Sequence, residues 1–173
     1  MILVDATDQI IGHLDKSRCH NGNGVLHRAF SLFIFNPDGD LLLQQRAAEK
    51  RLWPGFWSNS CCSHPRKGEE LAQAAQRRCE QELGFRTPLQ FLYKFEYQAQ
   101  FRDLGSEHEL CSVFCGVYDG EIRANENEIS AWQWLAPVAI NAQLQAGADT
   151  FTPWFQLEWQ HLQTHFAQIF ATR

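Results

Sequence analysis

Between residues 69 and 84 the chain reads EELAQAAQRRCEQELG, with Leu71, Ala75, Cys79 and Leu83 spaced four apart. That spacing puts small and apolar side chains on one stripe of an α-helix. Gly84 follows as a C-terminal cap. A helix with one apolar stripe has to lie against another layer, and its neighbours in sequence read as strands. ILVD is a short one, and HRAFSLFIFNPDGDLLLQQR is two strands joined by a turn at Asn36–Gly39. FLYKFEYQAQF and EHELCSVFCGVY are long strands, and AWQWL is a shorter one. TPWFQLEWQHLQTHFAQIF closes the chain as an amphipathic helix, with Thr152 as N-cap and Pro153 at the first helical position. Strands with one helix among them and one at the end predict an α/β (α+β) fold around a mixed sheet. No linker or repeat divides residues 1–173, so one domain is expected.

The chain has 173 residues, of which 45% are apolar, including 13 Phe and 6 Trp, enough for a core without covalent staples. A net charge of −5 argues against a general nucleic-acid binder. The start of the chain has no basic segment followed by an apolar run, and no stretch reaches the ~18 apolar residues of a membrane helix. A cytoplasmic monomer with reduced thiols, engaging neither nucleic acid nor membrane, is the expectation.

Chemistry concentrates in a few places. WPGFWSNSCCSHPRKG is too rich in Pro, Gly, Ser and Asn for one regular element, so it reads as a loop with a short strand inside. Within it, Cys61 and Cys62 point to opposite sides of an extended chain and make a poor disulfide. In SEHELCSVF, Glu107 and Glu109 share one strand face about 7 Å apart, with His108 on the other. The same face continues through Cys111, Val113 and Cys115, so the two acids sit where a polar mouth meets apolar packing. His20, His27 and His64 complete a set with these glutamates that suits one octahedral metal. Imidazole with carboxylate favours Mn, Fe or Zn over a pure Mg or Ca site. No Cys-x-x-Cys pair is present for a structural zinc site.

HPRKGEELAQAAQRRCEQELGF resembles an altered Nudix box, the loop–helix–loop that holds divalent metals on a diphosphate in hydrolases. Glu69, Arg77, Glu82 and Gly84 keep that pattern. Arg78 and Gln81 stand where two of its glutamates would be, and Ser63 stands where it opens with Gly. The wider set of LDK, CH, LHRAFS, RLWPGFWSNSCCSHP, RRCEQELG, FEYQA, SEHELCSVF and FTPWF resembles type I isopentenyl diphosphate isomerases, from about Leu3 to Trp154. The resemblance implies a Nudix-like mixed β-sheet sandwiched by helices. It also implies interconversion of isopentenyl and dimethylallyl diphosphate through a tertiary carbocation, with no redox or nucleotide cofactor. By motif position Cys62 is the catalytic thiol, Glu109 the acid–base group across the substrate, and Tyr97 its partner; Cys61 is packing. His20, His27, His64, Glu107 and Glu109 are implied as ligands of one Mn²⁺, Mg²⁺ or Zn²⁺. A second Mg²⁺ on the diphosphate falls to Glu82 and the backbone of Cys62. Lys16, Arg46, Lys50 and Arg78 match positions that bind the diphosphate, with Arg51 adjacent, and Trp154 faces the hydrocarbon.

Two other readings compete. A Nudix hydrolase acting on a diphosphate-containing substrate would need the glutamates that Arg78 and Gln81 replace. A non-catalytic binding module would not need Cys62, Glu109 and the His/Glu set together. His13, His108, His161 and His165 receive no role.

Overall fold

The computed structural model describes residues 1–169. Strands β1 (Ile2–Val4), β2 (Ile10–His13), β3 (His27–Phe35), β4 (Leu41–Arg46), β5 (Trp57–Ser58), β6 (Cys61–Ser63), β7 (Gln90–Phe101), β8 (Gly105–Val117) and β9 (Ile129–Leu135) form one sheet system. The helices are α1 (Lys16–Cys19), α2 (Leu71–Leu83), α3 (Pro137–Gly147) and α4 (Pro153–His165). β3 is the hub. It runs parallel to β8 with His27 beside Glu109, and antiparallel to β1, β4 and β6, with Ser31 opposite Cys62. β7 pairs antiparallel with β8, setting Tyr97 beside Glu109. The mixed sheet between helical layers agrees with the sequence expectation.

Alternation along β3 separates two cores. Phe30, Leu32 and Ile34 face α2, where they bury Ala74, Ala75, Cys79 and Leu83. Ala29 and Phe33 face the other way, toward Ile140 of α3 and Phe155, Trp159 and Leu162 of α4. α2 matches its stripe, with Leu71 half-buried at its start. Gly84 caps it at φ 84°, and a Cβ there would lie 2.6 Å from Cβ of Arg123. Leu83→Ala should therefore leave a cavity under the sheet and cost ~2–5 kcal/mol in urea unfolding at unchanged m-value.

The structure departs from the sequence reading at several places, and β2 and α1 were not anticipated. The loop around the double cysteine contains two short strands, β5 and β6. α3 was not anticipated, because Ile140 is its one fully buried residue and no apolar stripe announces it. Thr152 sits in the N-cap position but does not cap α4; its hydroxyl lies 2.9 Å from Ser58 Oγ instead, drawn into a buried polar cluster. Pro153 is at the first helical position, α4 ends at His165, and Phe170 of the expected helix lies outside the described residues.

Candidate active site

The double cysteine is fixed by its neighbours. Asn59 donates to the carbonyls of Leu32 (3.2 Å) and Cys61 (2.9 Å), and the Ser60 hydroxyl donates to the Leu42 carbonyl at 2.7 Å. These bonds seat β6 beside β3, and the pleat then divides the two thiols. Cys61 is buried under α2, while Cys62 turns to the α4 side and lines a cavity of about 260 Å³. All six cysteines are free.

Three histidines and two glutamates converge beside the same cavity, and all but His27 line it. The histidine ring centroids lie 4.9–5.8 Å apart. His20, His27, His64 and Glu107 each offer a ligand atom within 4.8 Å of the others. His64 Nε2 is 2.8 Å from Glu109 Oε1, and His27 Nε2 is 3.6 Å from the same oxygen. His20 Nε2 approaches Glu107 Oε2 to 2.9 Å, yet neither atom makes a hydrogen bond among the described residues, nor does His27 Nε2. Buried polar atoms that converge without bonding are costly unless something else satisfies them. A divalent cation fits that donor set. The other ring nitrogen of His27 is 2.7 Å from the Val25 carbonyl, an arrangement that leaves Nε2 free to ligate. Gly105 makes the approach of His20 possible: at φ 144°, a Cβ there would fall 2.2 Å from the His20 carbonyl oxygen, which accepts from the Ser106 N–H at 3.0 Å.

Burial and charge set the protonation pattern. Burial pushes the Cys62 thiol up to about 12, against the pull of Arg46. Glu109 pays a desolvation cost, but contacts with His27 and His64 prevail and hold it well below the usual carboxylate range. Burial lowers His64 to about 3, whereas His27 rises to about 10, its contacts with Cys19 and Glu109 outweighing burial, so a cation would have to displace that proton to be held by Nε2. Tyr97 is raised far up, chiefly by burial and then by the nearby glutamates, and its hydroxyl donates to Glu109 Oε2 at 2.8 Å. A protonated thiol and an ionised carboxylate therefore line one cavity.

The rim is cationic. Lys16, Arg46, Lys50, Arg51 and Arg78 line the cavity with Tyr97 and Trp154. Arg46 donates to the carbonyls of Leu52 (2.8 Å) and Trp53 (3.1 Å), with its guanidinium 5.2 Å from the Trp154 ring centre. Arg51 reaches Ser17 of α1, Asn21 just after it and Leu104 between β7 and β8, tying these segments together. Arg77 grips Glu69 through two nitrogens at 2.6 and 2.8 Å, so that part of the box clasps the loop before α2. Of the residues singled out from sequence, His27 and Glu82 do not line the cavity. His27 lies behind the other imidazoles, and Glu82 is buried behind Arg78, whose Nε donates to it at 2.9 Å.

Sequence reasoning passed over the residues that aim the indole. Trp154 Nε1 donates to Ser58 Oγ (3.0 Å) and lies 3.2 Å from Asn59 Oδ1, and Trp53 packs edge-on against the ring at 5.2 Å. Ser58 and Asn59 stand in the quoted WSNS string, but nothing local ties them to a residue 95 positions away. Glu158, one turn beyond Trp154, is also new: fully buried and raised to about 8 by burial, it lies 3.6 Å from the Cys111 thiol. A larger groove of about 940 Å³, lined by residues such as Phe35, Phe91 and Val117, has no Asp, Glu, His, Lys or Arg among the described residues that line it, so size alone does not mark the chemistry.

Residues 25–155 match the sequence profile of the NUDIX domain family. The chain is 42% identical over 172 residues to isopentenyl-diphosphate Delta-isomerase 1 of Photorhabdus laumondii, covering 98% of each protein. It is 44% identical over 155 residues to the isopentenyl-diphosphate Delta-isomerase of Serratia proteamaculans, covering 90% of this chain and 86% of that one. The crystal structure of a Deinococcus radiodurans protein shares the fold, with a TM-score of 0.69 at 23% identity over 84% of this chain and 88% of the other. No helix among the described residues is long and apolar enough to cross a membrane. Similarity along nearly the whole length makes the conclusion a direct one: the chain belongs to the isopentenyl-diphosphate Delta-isomerase family and carries its NUDIX domain.

Proposed function

We propose that the protein interconverts isopentenyl diphosphate and dimethylallyl diphosphate. The observation that carries this reading is the meeting of Cys62, Glu109 and Tyr97 in one small cavity with a cationic rim. Moving the double bond requires adding a proton to the terminal alkene carbon and removing one from C2. The intermediate is a tertiary carbocation. One group must hold a proton and another must be ready to take one. The buried thiol and the ionised carboxylate meet that requirement. In the reverse direction the two exchange tasks. The Tyr97 hydroxyl holds Glu109 Oε2, which leaves Oε1 toward the imidazoles.

His20, His27, His64, Glu107 and Glu109 would hold a divalent ion of the Mn²⁺, Mg²⁺ or Zn²⁺ class. When bound, that ion adds positive charge beside Glu109 and shifts its proton affinity. Mg²⁺ carried by the substrate takes phosphate oxygens and few protein carboxylates; Cys62 borders that place with its backbone, and Glu82 would join it by giving up its bond to Arg78. Trp154 presents an aromatic face of the kind that stabilises a nearby cation by ~0.5–2 kcal/mol. The reaction requires water to be kept from the cation, which it would capture. Arg78 and Gln81 in place of box glutamates speak against diphosphate hydrolysis. Six free thiols support a reducing, cytoplasmic setting.

The test is direct. Metal-replete protein is incubated with isopentenyl diphosphate and Mg²⁺ in D₂O and followed by NMR. Dimethylallyl diphosphate carrying deuterium in its new methyl group is the expected product. Intact starting material, or release of inorganic phosphate alone, would sink the proposal.

A further inference from the structure

Lys50 and Arg78 line the cavity from different elements, one in the loop after β4 and the other on α2. Both are tied to one acid outside it, Glu128. Its Oε2 contacts Lys50 Nζ, and its Oε1 accepts from Arg78 Nη2 at 3.0 Å. Each oxygen takes one cation, so the carboxylate spans the pair. Arg78 is held a second time by Glu82.

The chain supports Glu128 by its backbone. The Arg123 N–H donates to the Leu83 carbonyl at 2.9 Å and the Asn125 N–H to the Glu82 carbonyl at 2.8 Å, docking the segment on the end of α2. The bare Cα of Gly84 admits this close approach. Glu128 then donates its N–H to the Asn125 carbonyl (2.9 Å) and accepts from the Ala47 N–H (3.0 Å). The side chain is thus fixed between two elements whose cations it holds.

We propose that Glu128 is a positioning residue that sets the spacing of Lys50 and Arg78 as a two-point clamp for a diphosphate. Flexible cations pay a conformational cost when they close on an anion, and a bridging carboxylate pays most of it in advance. A ligand that touches both heads gains from the fixed spacing. An anion that touches one gains little. Glu128 therefore contributes selectivity for diphosphate over monophosphate. The inference rests on the diphosphate-binding reading above.

The test compares inorganic pyrophosphate and inorganic phosphate by titration calorimetry on Mg²⁺-replete protein. The wild type should prefer pyrophosphate. Glu128→Gln should weaken pyrophosphate by about tenfold, as loss of a charge-assisted bond would. It should change phosphate by less than about threefold, the scale of an exposed ion pair. Glu128→Asp keeps the charge but is one methylene too short to span both heads, so it should follow Glu128→Gln. Thermal melts report whether either variant is folded, and the ratio of the two affinities separates positioning from general destabilisation. Equal changes for both anions, tighter pyrophosphate binding, or a Glu128→Asp variant that behaves as wild type would overturn the inference. A wild type with no preference for pyrophosphate would instead bring down the diphosphate reading, and this inference with it.

Discussion

Cys62→Ala should lose about 10²–10⁴-fold in turnover of isopentenyl diphosphate, the range a positioned acid–base group supplies, while Cys61→Ala should keep most of it. The two residues are adjacent and chemically identical, so the difference comes from the pleat of β6. Cys62 turns toward the α4 side, where it lines the cavity with Glu109 and Tyr97. Cys61 turns to the opposite face, among Phe30, Leu32, Ala75 and Cys79 under α2. Replacing Cys61 by Ala removes one buried sulfur and should cost on the order of 1 kcal/mol of stability. Its thiol has no path to the substrate. Cys62→Ser is the sharper probe, since it keeps the shape and exchanges the thiol for a poorer acid. Kinetics on all three variants, each checked for folding by circular dichroism, decide the matter. Similar losses at Cys61 and Cys62 would mean that the effect is structural and that the thiol assignment is wrong.

The ease of reading this sequence varied with how local the signal was. α2 was legible because its stripe and its capping glycine lie within 14 residues of chain. The shared face of Glu107 and Glu109 followed from strand alternation alone. α3 was not legible, because a helix that buries one residue fully shows no period. α1 is a single turn, and it was seen only through its Lys16. Thr152 carried the composition of an N-cap, but a buried hydroxyl on the neighbouring strand competed for it. Glu128 carried no signal, since its partners lie 78 and 50 positions away and meet it only in the folded sheet. The convergence of the imidazoles shows the same limit. Residue type nominated the three histidines, but it took the parallel register of β3 with β8, the close approach that Gly105 allows, and the seating of β6 to bring them together. Residue types and short-range spacing named the chemistry, and long-range pairing gave it a geometry.

Glu107→Gln should release the metal that the histidine–glutamate set is proposed to hold, by at least about 100-fold in affinity. Outer partners of metal ligands already cost 10–100-fold when removed, and a direct ligand should cost no less. Glu107 is the informative member because it does not also make the Tyr97 contact that marks Glu109. Its Oε2 lies 2.9 Å from His20 Nε2 and 4.0 Å from His27 Nε2 without bonding to either. The amide is nearly isosteric, so packing against β3 and β7 should survive. What changes is charge: an anionic oxygen that a cation would neutralise becomes a neutral carboxamide. The metal-free variant should therefore be at least as stable as the metal-free wild type, because one desolvated charge is gone. With metal present the order should reverse, since only the wild type gains from binding. Elemental analysis after dialysis and thermal melts with and without Mn²⁺ measure both halves. Equal metal content in the two proteins would remove Glu107 from the ligand set. A Mn²⁺-independent melting temperature in the wild type would argue that the converging imidazoles hold no metal at all.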